Sequence, residues 1–206
     1  MNKKVAFYTL GCKLNFSETT TISEQFLKRG FNIVDYNESA DVYVVNTCSV
    51  TENAERECRQ IVRRALRNNP DAYVIVTGCY AQLRPEEIAK IEGVSAVLGS
   101  NEKFNLFNYI SDFENPKKVN TSDTEEKKNL SCIHVTPTEE LNSFYSSFSA
   151  ETNDRTRAFF KVQDGCDYKC SFCTIPLARG KSRSAKPDEI INEFKKLLDS
   201  NYKEII

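Results

Sequence analysis

Three apolar runs in the first half of the chain each give way to a cysteine within two residues. Val5–Leu10 leads into Gly11-Cys12, Asp41–Asn46 (DVYVVN) into Thr47-Cys48, and Ala72–Thr77 (AYVIVT) into Gly78-Cys79. Runs so short and so continuously apolar suit strands buried on both faces. Helical patterns lie between them. Ser17–Arg29 carries Ile22, Phe26 and Leu27 on one face, with Ser17 and Glu18 expected in its first turn and Gly30 at its stop. Thr51 to about Asn69 places Ala54, Cys58, Ile61, Val62 and Ala65 on one stripe and ends before Pro70. Further strands are expected at Phe31–Tyr36 and Val94–Leu98, and further helices at Pro85–Ile91 and Glu102–Phe113. Strands and helices that alternate in this way predict a parallel sheet covered on both faces.

The expected fold of residues 1–114 is thus α/β, an open parallel sheet of the Rossmann or flavodoxin-like kind. Its strands deliver their C-terminal ends to one edge, where such folds build their sites. Cys12, Cys48 and Cys79, more than thirty residues apart in each case, should therefore converge. A cysteine at one strand end is commonplace, but three at three strand ends is not. From residue 115 to 152 the chain turns rich in Ser, Thr, Glu, Lys and Asn and reads as a linker with one short strand near Cys132–Val135. Order returns in 153–206. There Arg157–Gln163 reads as a strand, Lys186–Ser200 as a helix and Lys203–Ile206 as the start of another strand. A second βαβ unit is expected to begin there and to stop short.

The chain has eight cysteines and one histidine, His134. The opening MNKKVAFYTLGCKLN lacks the apolar core and cleavage site of a signal peptide, and no run approaches the roughly 20 apolar residues that span a bilayer. A cytosolic, membrane-free protein is expected, in which thiols stay reduced. A single histidine disfavours His-rich zinc and non-haem iron sites and turns any metal toward thiolate ligands. Cys166, Cys170 and Cys173 form C-x3-C-x2-C in a loop after the Arg157–Gln163 strand. Three thiolates so close can hold one face of an iron–sulfur cubane, and a fourth iron left without cysteine can take a ligand. Half a zinc site is the alternative, although zinc prefers paired C-x2-C knuckles. Cys58 on the helix stripe and Cys132 in the linker read as structural or incidental.

The segments TLGCKLN with Ser17-Glu18, VNTCSVT, VTGCYAQ and KVQDGCDYKCSFCTIPLARGKSRS together resemble the radical S-adenosylmethionine methylthiotransferases. The resemblance covers nearly the whole chain. It implies an N-terminal methylthiotransferase domain whose Cys12, Cys48 and Cys79 hold an auxiliary 4Fe-4S cluster. It also implies the first elements of a radical S-adenosylmethionine partial TIM barrel. There Cys166, Cys170 and Cys173 hold a second 4Fe-4S cluster, with Phe172 near the adenine of S-adenosyl-L-methionine. GCKLN with the later RGKSRS is similar to the branch that methylthiolates C2 of N6-threonylcarbamoyladenosine at position 37, beside the tRNA anticodon. The branches acting on isopentenyladenosine tRNA or ribosomal protein S12 are alternatives, as is a non-catalytic iron–sulfur or zinc module. The implied partners are a tRNA anticodon stem-loop and an electron donor such as flavodoxin or ferredoxin. Most of the barrel and a C-terminal RNA-binding domain are lacking, so the chain resembles an N-terminal fragment that alone would not complete the reaction.

With a formal net charge of −1, no global field advertises nucleic acid. Between Arg155 and Lys186, however, eight Lys or Arg stand against two Asp. Arg179, Lys181 and Arg183 there are candidates for phosphate contacts, with a solvated loop or intramolecular pairing as the equal alternative. The face with Arg56, Arg59, Arg63 and Arg67 reads as solvated surface.

Overall fold

The structure, a computed structural model, describes residues 3–48, 54–110, 131–148, 157–198 and 202–206. Six strands form one sheet: β1 (Lys4–Thr9), β2 (Asn32–Val34), β3 (Val42–Thr47), β4 (Tyr73–Gly78), β5 (Ala96–Leu98) and β6 (Cys132–His134). Their order is β2-β1-β3-β4-β5-β6, and every pairing is parallel. The expected open parallel sheet is present. Alternation along the strands divides the core in two. Val5, Val42, Val44 and Ile75 face α1 (Lys13–Leu27), which contributes Ile22 and Phe26. Ala6, Tyr43, Val45, Val74 and Val76 face the opposite layer. There α2 (Ala54–Asn68) lays down Cys58, Ile61, Val62 and Ala65, and α4 (Pro85–Ala89) adds Ile88. Cys58 is fully buried, as its place on the stripe implies.

The chain moves from β1 outward to β2 and then returns to the other side of β1 to form β3. The order reverses between β1 and β3, and a crevice opens there at the carboxyl ends of the strands. Cys12 follows one of these strands and Cys48 the other.

Several boundaries depart from expectation. α1 begins at Lys13, a turn before Ser17, so Ser17 and Glu18 lie inside the helix and are buried. Two five-residue helices, α3 (Cys79–Leu83) and α5 (Ile175–Arg179), were not expected, being too short for a periodic pattern. Glu102–Asn108 is 3₁₀ and breaks at Asn105, whose side chain donates to the Tyr145 hydroxyl at 3.2 Å. The short strand expected within the linker is β6, paired through Ala96 with Cys132 and Leu98 with His134, so it extends the first sheet. The expected start of α2 at Thr51, the end of the Glu102–Phe113 helix, and residues 115–130 and 149–156 of the domain division lie outside the described residues.

The strand expected over Arg157–Gln163 is two shorter ones. β8 (Arg157–Ala158) pairs in parallel with β10 (Glu204–Ile205), with α6 (Pro187–Leu198) between them in sequence. β9 (Phe160–Lys161) turns to pair antiparallel with β7 (Ser147–Phe148). The break has a physical cause: Phe160 N–H donates to the Ile206 carbonyl while the next residue, Lys161, aligns with Ser147. Ser147 in turn shares a 2.9 Å hydrogen bond with Ser17 of α1, seating the later segment on the first domain.

Candidate metal centre

Cys12 is the N-cap residue of α1 and is exposed, Cys48 follows β3 half-buried, and Cys79 is the buried first residue of α3. Their parent strands are immediate neighbours, with Thr9 beside Asn46 and Thr47 beside Gly78. Two glycines bring the ends together. A Cβ on Gly11, at φ +98°, would lie 2.5 Å from Cys48 Cβ and 2.7 Å from its Sγ. A Cβ on Gly78, at φ +99°, would lie 2.2 Å from the Thr47 carbonyl oxygen. Both positions therefore require glycine for conformation and for space. The side chain of Asn15 stitches the edge, donating to the Leu10 carbonyl at 2.8 Å and the Thr47 carbonyl at 3.0 Å. Its Oδ1 lies 4.0 Å from Cys12 Sγ. The three residues thus occupy adjoining positions along one sheet edge.

Among the described residues no three Cys, His, Asp or Glu side chains meet closely enough to hold a single metal ion. A lone zinc would need thiolates drawn to about 2.3 Å from one centre. A cubane gives each thiolate an iron of its own and so suits donors set further apart. Three cysteines with no nitrogen or oxygen ligand among them form the all-thiolate donor set that such clusters take.

The second trio hangs from a clasp. Asp164 and Arg183 form an antiparallel bridge through two hydrogen bonds of 2.8 and 2.7 Å, and Cys166 N–H donates to the Gly180 carbonyl at 3.0 Å. Gly165, at φ +75°, has no room for a Cβ, which would fall 2.1 Å from the Lys181 carbonyl oxygen. Beyond this neck the loop opens. Cys170 is exposed, Cys166 and Cys173 are half-buried, and Phe172 is 89% exposed.

A buried ionic cluster joins the two segments. Glu18 accepts from Lys103 Nζ at 2.7 Å, Lys161 Nζ at 3.1 Å and Arg179 Nη1 at 2.9 Å. Asp164 accepts from Lys161 at 2.9 Å and from Arg179 at 3.0 Å. Arg179 Nη2 completes the network on Asn15 Oδ1 at 2.9 Å. Burial alone would raise the pKa of Glu18, but Lys103, Arg179 and Lys161 outweigh it and hold the carboxyl well below its usual range. Asp164 is lowered in the same way, burial being outweighed by Lys161 and Arg179. Burial pushes the Cys79 thiol up, and the Arg179 guanidinium beside it opposes that shift.

This cluster corrects two expectations. Glu18 does not open a helix; it is the centre of a charge network. Arg179 is 3% exposed and committed to carboxylates, while Arg183 donates to the carbonyls of Ser143, Arg179 and Lys181. Of the three proposed phosphate contacts, these two are consumed by intramolecular pairing, and Lys181 remains exposed.

Residues 4–99 match the model of the family described as "Uncharacterized protein family UPF0004". The chain is 41% identical over 202 residues to the threonylcarbamoyladenosine tRNA methylthiotransferase MtaB of Bacillus subtilis (strain 168), covering 98% of this chain and 42% of that protein. Its likeness to the protein of the same name from Aquifex aeolicus (strain VF5) is 38% over 205 residues, covering 98% and 47%. Over nearly its whole length the chain is similar to these tRNA methylthiotransferases. A third relative, the tRNA-2-methylthio-N(6)-dimethylallyladenosine synthase of Methylacidiphilum infernorum (isolate V4), is 32% identical over 208 residues, covering 96% and 41%. The chain spans less than half the length of these methylthiotransferases. Among the described residues no helix is long and apolar enough to cross a membrane.

Proposed function

We propose that the protein carrying this chain is a cytoplasmic tRNA methylthiotransferase that modifies C2 of N6-threonylcarbamoyladenosine in the anticodon stem-loop. The observation that carries the reading is the placement of Cys12, Cys48 and Cys79 at the ends of three neighbouring strands by the topological switch, with Arg179 of α5 hydrogen-bonded to Asn15 at that edge. Cys12, Cys48 and Cys79 would hold one 4Fe-4S cluster; Cys166, Cys170 and Cys173 would hold the other, with Phe172 against the adenine of S-adenosylmethionine. When bound, these groups supply one-electron chemistry that side-chain acids and bases lack, together with the methyl group. An N-terminal methylthiotransferase domain completed by β6 and a barrel segment over 153–206 belong to the same proposal, as does a flavodoxin or ferredoxin donor.

The chain's own contribution is placement. The sheet edge positions one trio with long-range order, and the Asp164–Arg183 clasp presents the other on an open loop. The more identical relatives carry the threonylcarbamoyladenosine name, which supports that nucleoside over dimethylallyladenosine. Anaerobically reconstituted full-length protein should bind about eight irons, four per cluster, and cleave S-adenosylmethionine reductively. Cys170→Ala should abolish cleavage. Cleavage that survives this substitution rules the reading out, and mass spectrometry of tRNA nucleosides from a deletion strain identifies the substrate.

A further inference from the structure

Two carboxylates in the buried cluster, Glu18 and Asp164, face three cations, Lys103, Lys161 and Arg179. Arg183 reaches Asp164 at 3.6 Å from the rim and adds a fourth. Glu102 is also buried, but it bonds Thr136 and forms no ion pair with the cluster among the described residues. The network therefore holds more positive than negative charge away from water. Such a surplus is expensive unless an anion lies against it.

The direction in which the surplus faces is set by the fold. α5 packs on α3, and these helices carry Arg179 at the end of one and Cys79 at the start of the other. Ser100 Oγ donates to the Ala178 carbonyl at 3.3 Å and Thr138 Oγ1 to that of Leu177 at 2.9 Å, so α5 is fastened before its last residue. The packing of α5 on α3 sets the Arg179 guanidinium beside Cys79. Through Asn15 Oδ1 it also reaches the neighbourhood of Cys12. Three thiolates on a dicationic cubane core leave the assembly anionic, and reduction adds further negative charge without a proton. Net charge and hydrogen bonds to sulfur are levers that set the potential of such clusters.

We propose that Arg179 is a positioning residue for the auxiliary centre. Held by Asn15, Glu18 and Asp164, it sets a fixed positive charge against the Cys79 side of an anionic cluster and raises that cluster's reduction potential. The proposal rests on the assignment of Cys12, Cys48 and Cys79 made above.

The test uses full-length protein with Cys166, Cys170 and Cys173 replaced by serine, so that only the dispersed trio can hold a cluster. Reductive titration followed by electron paramagnetic resonance reads its midpoint potential. Arg179→Gln should shift the midpoint to more negative values by about 59 mV or more, a tenfold bias for a one-electron couple. Glu18→Gln, which enlarges the positive surplus, should shift it the other way, and Arg179→Lys should stay nearer the parent. A purely structural role would not give opposite signs. If Arg179→Gln fails to fold, Glu18→Gln and Arg179→Lys decide the matter. Midpoints that stay put, or that move in one direction for both neutral variants, overturn the proposal while leaving the ligand assignment intact. A parent protein that binds no iron overturns the ligand assignment and the proposal with it.

Discussion

Cys12, Cys48 and Cys79 come from three separate strands, whereas Cys166, Cys170 and Cys173 fall within eight residues of one loop. The first set has its geometry from parallel pairing, two glycines that admit close approach and Asn15. The second has its geometry from local chain, closed at the neck by Asp164 and Arg183. The dispersed set is therefore sensitive to packing over the whole domain, and the clustered set to little beyond its clasp. They meet at the buried charges, where Glu18 of α1 binds Lys161 and Arg179, and at the packing of α5 on α3.

Glu18→Ala should do the most damage, because it removes the anion shared by three buried cations. Loss of one partner from such a network costs about 3–5 kcal/mol, to be read by urea denaturation of the full-length protein. The sign of its pH dependence follows from the lowered carboxyl. The folded form keeps Glu18 ionised while the unfolded chain takes up a proton near the ordinary value of about 4.3. The stabilisation is thus complete above that value and disappears as pH falls through the lower folded one. The gap between parent and variant should narrow in acid, and a constant gap would show that packing rather than charge is responsible. Gly11→Ala should come next, at about 1–3 kcal/mol for a strained positive φ, and should push Cys48 from its place. Iron content should fall toward that of one cluster while reductive cleavage of S-adenosylmethionine persists. Equal loss from both sites would mean the trios are not held independently. Phe172→Ala should be the mildest, within about 0.5 kcal/mol for an exposed side chain, yet it should weaken S-adenosylmethionine binding by equilibrium titration. A large stability loss would show that the loop is not the open element described here.

The strands and the α2 stripe were legible because they obey local rules: continuous β-branched runs and a 3.6-residue repeat. The convergence of Cys12, Cys48 and Cys79 on one edge was legible because parallel topology dictates it. Glu18 was not, since its partners lie 85, 143 and 161 residues away and no local pattern marks a charge destined for burial. For Arg179 the same long separation kept phosphate contact and intramolecular pairing equal alternatives in the sequence. Only folding shows that its guanidinium faces inward. β6 was visible as a strand but not as a sheet member, because its partner β5 lies beyond an intervening polar stretch.

That late strand has a consequence for any attempt to isolate the first domain. Ending the chain at Ile110 would strip Cys132–His134 from β5, leaving the amides and carbonyls of Ala96–Leu98 without their neighbour. An uncovered apolar edge of this kind recruits strands from other molecules. β6 therefore seals a seam that would otherwise be sticky.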